Sequence, residues 1–229
     1  MDVDHFRAQL EGELEWREAE IRFFQNTCEQ LDNPESAKQF RRALILMLYS
    51  HFEGYCKFAL SLYVSVINAS EAFCKDANPA IVASSISDVL QKLREGTGKA
   101  PEFRDALPDD SKLHRFARDR EFVQRIDEVL ARRVKIPEDT IDMESNLKPV
   151  VLRKNLYRLG LQHDQFDDLE GQINKLLEFR NKIAHGASRA GIDRAAYDEL
   201  RTSASRVMAG ITAGVTRAVE ERLYLASVA

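Results

Sequence analysis

Residues 173–186 read INKLLEFRNKIAHG, and the periodicity of this stretch sets a helical frame for the whole chain. Ile173, Leu176, Leu177, Arg180 and Ala184 recur at the i, i+3, i+4, i+7 and i+11 spacing of one helical face. Phe179 and Ile183 widen that face, so most of the segment is expected to pack against a core. Gly186 stands where such a helix stops, because glycine adopts the left-handed C′ conformation cheaply. Into this packed segment the sequence places Arg180, Asn181, Lys182 and His185. Asn181 and His185 are i, i+4 neighbours whose side chains can meet. Arg180 lies about 140° round the helix from His185, an angle that a long guanidinium arm can partly bridge. A permanent cation, a titratable imidazole and an amide at one helix end suit holding a phosphate and moving a proton.

A second stretch, residues 34–69, is the most apolar of the chain, with nearly unbroken runs at Ala43–Tyr49 and Phe58–Ile67. His51, Glu53 and Lys57 sit at its middle, and a charge at mid-span costs about 2.5 to 3.5 kcal/mol, which argues against a membrane span. The better reading is the buried central helix of a bundle. A carboxylate among Tyr49, Phe52, Tyr55 and Cys56 must find a partner or shift its pKa. Tyr49, one turn before Glu53, is placed to donate to it. Two roles for Glu53 stay open, anchoring another helix or joining a site. Were this helix to pack on the 173–186 helix, Glu53 would pair with Arg180 or Lys182.

The remaining chain adds helices and no run of strands. Periodicity predicts helices over residues 2–30, 78–94, 112–135 and 150–159, a start near Asp164 or Phe166 for the 173–186 helix, and a last helix over 193–225. Asn33-Pro34 and Asn78-Pro79 read as capped helix starts. Residues 95–111 read as a loop. The expected fold class is therefore all-α.

Composition excludes several functions. The net charge of −4 rules out nucleic-acid binding through global basicity, so any such contact must be local. One local excess does exist: residues 112–135 carry eight Lys/Arg against four acids, a solvated helix face or a docking surface for RNA or an acidic partner. Cys28, Cys56 and Cys74 show no metal or disulfide spacing and read as free thiols. No metal and no cofactor is expected. The first residues, MDVDHFRAQL, lack a basic region followed by an apolar run, so no signal peptide is expected and the expected compartment is the cytoplasm.

An arginine five residues before a histidine is a weak signal by itself. With 22 Arg and 5 His among 229 residues, chance supplies about 0.5 such pairs. A second pair, Arg158 and His163, is interrupted by Gly160 and is read as chance. The Arg180 copy carries more. FRNKIAHG resembles the arginine–polar–x–histidine signature of the HEPN superfamily, with Asn181 directly after the arginine and a closing His-Gly. LYSHFEGYCK at 48–57 and MESNLKPVVLRKNLYRLGL at 143–161 look like further segments of a bacterial toxin–antitoxin and phage-defence branch.

The resemblance implies a HEPN-type helical bundle forming a single domain over 1–229, with 95–161 as an elaboration on a four-helix core. It also implies a homodimer with a composite active site, metal-independent cleavage of RNA, and a possible cognate antitoxin protein. Arg180, His185 and Asn181 would then be catalytic, and Lys182, Glu53 and Tyr49 supporting. Two other classes stay open: a non-catalytic HEPN module for RNA binding or assembly, and a DNA-binding regulator built on 112–159, although the proline-containing loop there is long for a helix-turn-helix.

Overall fold

The computed structural model describes residues 2–96, 99–100 and 111–226. Four long helices carry the core: α1 (Val3–Glu29), α2 (Pro34–Ala69), α8 (Glu170–Ala184) and α9 (Arg194–Glu220). Between α2 and α8 the described residues form five shorter ones: α3 (Pro79–Ser85), α4 (Ser87–Glu95), α5 (Ser111–Gln124), α6 (Ile126–Leu130) and α7 (Pro149–Arg158). Among the described residues there is no strand, only isolated bridges at Phe73–Arg133 and Ala77–Leu225. The all-α expectation holds.

Helix α2 forms where its caps and apolar content direct it. The Asn33 side chain accepts the N–H groups of Glu35 (2.9 Å) and Ser36 (3.3 Å), and Pro34 takes the first helical position. Leu48, Phe52, Tyr55, Cys56, Leu60 and Ile67 are fully buried, so α2 is apolar nearly all round because it is enclosed nearly all round. It packs on α1, α8 and α9. Among the described residues no helix is long and apolar enough to cross a membrane.

Several predicted boundaries move, each for a tertiary reason. The 78–94 helix is two helices, broken at Ile86 (φ −102°, ψ 23°). The serines before the break are drawn away: the Ser84 hydroxyl donates to the Arg158 carbonyl (2.8 Å), and Ser85 Oγ accepts the Lys135 N–H (2.8 Å). The 112–135 helix also divides, at Arg125, and ends after Leu130 so that Val134 can donate to the Ala72 carbonyl (2.7 Å). The loop expected over 95–111 lies mostly outside the described residues. Helix α8 starts at Glu170, later than expected, behind a single 3-10 turn at Asp167–Leu169. Helix α9 stops at Glu220 where apolar periodicity runs on to Leu225; Arg222 takes a positive φ of 51°, and the Leu223 N–H returns to the Ala218 carbonyl (2.9 Å).

His51, on α2, is buried against α1. Its Nε2 lies 2.7 Å from the Glu20 carboxylate, Arg17 Nη1 is 3.4 Å from Nδ1, and Trp16 meets the ring edge-on at 5.3 Å. Burial holds the imidazole below its ordinary value; Arg17 pushes the same way and Glu20 opposes. The unfolded chain protonates His51 near pH 6.5 and the folded chain only lower, so stability is intact above that pH and falls as pH drops through it. The His51→Gln variant should lose part of this acid sensitivity, read as the fall in melting temperature between about pH 7.5 and 5.5. An unchanged fall would assign the sensitivity to other groups.

Candidate functional site

The C-terminal turn of α8 ends in a two-bond αL cap. The Gly186 N–H donates to the Ile183 carbonyl (3.1 Å) and the Ala187 N–H to the Lys182 carbonyl (2.8 Å), with Gly186 at φ 67°. Nothing lies within 4 Å of where a Gly186 Cβ would stand, so the glycine is there for its backbone conformation alone. His185 is the cap residue itself, exposed, its N–H on the Asn181 carbonyl (3.0 Å). Its ring makes no hydrogen bond to a described residue.

Arg180, one and a half turns earlier, faces inward. Its guanidinium carbon stands 5.2 Å from the centre of the Tyr49 ring, and Nη1 donates to Asn181 Oδ1 (2.8 Å). Asn181 therefore orients Arg180, and the i, i+4 meeting with His185 is not made. Lys182 pairs with Glu178 on its own helix and is exposed.

Below Arg180 sits a polar node. Tyr49 Oη donates to Glu53 Oε2 (2.5 Å), and the Leu147 N–H is shared between Tyr49 Oη (2.8 Å) and Glu53 Oε2 (3.0 Å). The expected Tyr49–Glu53 bond forms. The expected ion pair of Glu53 with Arg180 or Lys182 does not, because the carboxylate already holds Tyr49 and the backbone before α7. Burial, then the bond to Glu53 and its charge, raise the Tyr49 hydroxyl above its ordinary value; the Leu147 N–H and Arg180 oppose this. Tyr49 thus stays protonated and able to donate. Leu147 follows two consecutive left-handed residues, Glu144 (φ 47°) and Ser145 (φ 69°), held by an Asp142 side-chain bond to the Glu144 N–H (2.8 Å).

The chain after His185 is fastened to the first turns of α2. Arg42 Nη2 donates to the Ser188 carbonyl (2.6 Å) and Arg41 Nη1 to the Ile192 carbonyl (3.2 Å), while the Ile192 N–H donates to the Lys38 carbonyl (3.0 Å). One helix thus supports Arg180 through Tyr49 and the segment after His185 through Arg41 and Arg42. Sequence spacing missed Arg41, Arg42 and Leu147, since these contacts join residues about a hundred or more positions apart. Gly191 was the local sign of close approach: a Cβ there would stand 2.5 Å from Lys38 Cβ and 3.2 Å from its carbonyl carbon. The Gly191→Ala variant should lose about 1–3 kcal/mol of stability by crowding, seen as a lower midpoint in denaturant unfolding. An unchanged midpoint would show that the loop is not held against α2.

Among the described residues no three His, Cys, Asp or Glu side chains gather where they could hold a metal ion. What the arrangement offers is a guanidinium oriented by Tyr49 and Asn181, and an exposed imidazole at the end of the same helix. A family model, the MAE_28990-like HEPN, matches residues 6–224. No curated protein and no solved structure matches the chain.

Proposed function

The chain belongs to the MAE_28990-like HEPN family, and on that premise we propose that it is a metal-independent endoribonuclease acting through Arg180 and His185. The observation that carries this reading is the contrast between the two side chains. Arg180 is oriented by the Tyr49 face and by Asn181, while His185 is exposed on the helix cap with its ring uncommitted. An oriented cation and a free proton carrier on one helix end are what cleavage of RNA by its own 2′-hydroxyl demands.

In this reading the 2′-oxygen attacks the adjacent phosphorus and the bond to the 5′-oxygen breaks. The products carry a 2′,3′-cyclic phosphate and a 5′-hydroxyl. One proton leaves the 2′-hydroxyl and one arrives on the departing 5′-oxygen, and histidine serves either transfer near neutral pH. A single His185 cannot take and give at once. A two-fold homodimer bringing two copies of His185 to one cleft supplies both roles. Arg180 binds the phosphate oxygens through its planar fork and stabilises their growing charge. Asn181, Tyr49 and Glu53 position Arg180, and Lys182 makes a supporting contact to RNA.

Residues 95–161 we read as an elaboration on the core of α1, α2, α8 and α9, because those four helices pack on one another. In a cytoplasmic toxin or phage-defence setting, a cognate antitoxin protein would keep such a site silent. The second reading is a non-catalytic HEPN module for RNA binding or assembly. It draws support from the helix end itself, whose dipole favours Arg and His without any catalysis.

Incubation of the protein with a mixed RNA pool in EDTA separates the two. Cyclic phosphate and 5′-hydroxyl ends are expected. Intact RNA in the presence of folded dimer would move the module reading ahead.

A further inference from the structure

Away from Arg180, a cavity of about 950 Å³ opens between α3, α4 and α7. That volume lies within the range of small-ligand sites, about 300–1,000 Å³. It is lined by Arg158 and His163, the second arginine–histidine pair of the sequence, and by Tyr157, Arg94, Ser87 and Gln91. The fold thus gathers this pair into one place, although Gly160 between them (φ 66°) ends the helix that carries the arginine.

The roles of the two differ from those of Arg180 and His185. The Arg158 guanidinium donates to the Thr140 carbonyl (3.3 Å) and its carbonyl accepts the Ser84 hydroxyl (2.8 Å), so Arg158 builds the wall. His163 instead meets Tyr157 in an edge-to-face pair, centroids 5.3 Å apart. Tyr157 is 67% exposed, among the most exposed of the large apolar or aromatic residues described. Exposing an aromatic ring forgoes the benefit of burying it, and here the ring belongs to the lining of a cavity that mixes apolar surface with polar groups.

Charge narrows the occupant. Arg94 and Arg158 are matched by Glu95 and Asp139 in the same lining, so the cavity has no net pull on a phosphate. Its chemistry is an exposed aromatic ring with hydrogen-bond donors and acceptors in the same lining, which suits a planar heterocycle with hydrogen-bonding edges. A nucleobase is such a group. Ring faces stack on any base, Gln91 and Ser87 offer both donor and acceptor, and carboxylates accept from exocyclic amines.

Position connects the cavity with the candidate site. The segment before α7 donates its Leu147 N–H to Tyr49, which lies under Arg180. Tyr157 is near the other end of this 10-residue helix, about 15 Å along its axis.

We propose that the cavity beside Tyr157 and His163 is a nucleobase subsite, which holds an unpaired base of the RNA strand on which the protein acts. The inference rests on the RNA-directed reading of the protein, and binding tests it separately from cleavage. The probe is a fluorescently labelled single-stranded RNA of mixed sequence, and the protein is the His185→Ala variant, in which cleavage is expected to be too slow to consume it during binding. Adding Tyr157→Ala should weaken binding about tenfold, the scale of one lost base stack, while Tyr157→Phe should stay within about twofold of the parent. Equal binding by the Tyr157→Ala protein overturns the subsite, and so does an absence of RNA binding by the parent. If unlabelled mononucleotides displace the probe as well as RNA does, in a Tyr157-dependent manner, the occupant is a free nucleotide and the RNA assignment falls. Wild-type protein that binds RNA in this manner and never cuts it would remove the nuclease reading and leave the subsite standing.

Discussion

His185→Ala is expected to slow RNA cleavage by about a thousandfold or more, within the 10² to 10⁴ that one positioned acid–base group contributes and toward its upper end if both proton transfers use this residue. Stability should hardly change. The His185 ring is exposed and bonds to no described side chain, and the cap is made by backbone groups that alanine retains. Exposed substitutions of this kind stay within about 0.5 kcal/mol. Activity and melting temperature should therefore part company, which is the mark of a residue used for chemistry.

Mixing extends the test to the composite site. If base and acid come from two copies of His185, a dimer with one wild-type and one His185→Ala chain lacks one of them. Activity of randomly mixed dimers should then follow the square of the wild-type fraction. A linear decline would place base and acid within one chain, and an unchanged rate would take His185 out of the reaction.

What was legible in the sequence is what is local. Asn33-Pro34 and Asn78-Pro79 name helix starts because the cap and the first residue carry their own chemistry. Gly160 and Gly186 name helix ends because their positive φ favours glycine. Tyr49 and Glu53 meet because four residues on a helix bring side chains together. The end of α9 was hidden, since Arg222 takes the left-handed position without being glycine. The break at Ile86 was hidden as well, since Ser84 and Ser85 are satisfied by Arg158 and Lys135, far away in sequence. At the site, the acidic partner of Tyr49 was readable but its second partner, the Leu147 N–H, was not: a backbone donor leaves no residue type to recognise. Asn181 was equally ambiguous, because an amide between an arginine and a histidine can turn to either, and in the fold it turns to the arginine.

The Tyr49 ring and hydroxyl do separate work, and two substitutions divide them. Tyr49 is 3% exposed, with Arg180 over its face. Tyr49→Ala removes a buried ring and should cost about 3–5 kcal/mol, the range for large aromatic truncations in cores. It also takes away the surface that holds the guanidinium, so whatever protein still folds should cleave about a hundredfold more slowly, on the scale of a lost transition-state contact. Tyr49→Phe leaves the ring and removes only the hydroxyl. The Leu147 N–H keeps Glu53 Oε2 at 3.0 Å, so the stability loss should be about 1 kcal/mol. Cleavage should then stay within a few-fold of wild type, because Arg180 still has its platform and Asn181. If Tyr49→Phe instead loses cleavage as fully as Tyr49→Ala while remaining folded, the hydroxyl and not the ring is the working part. The node with Glu53 would then have to touch the RNA itself.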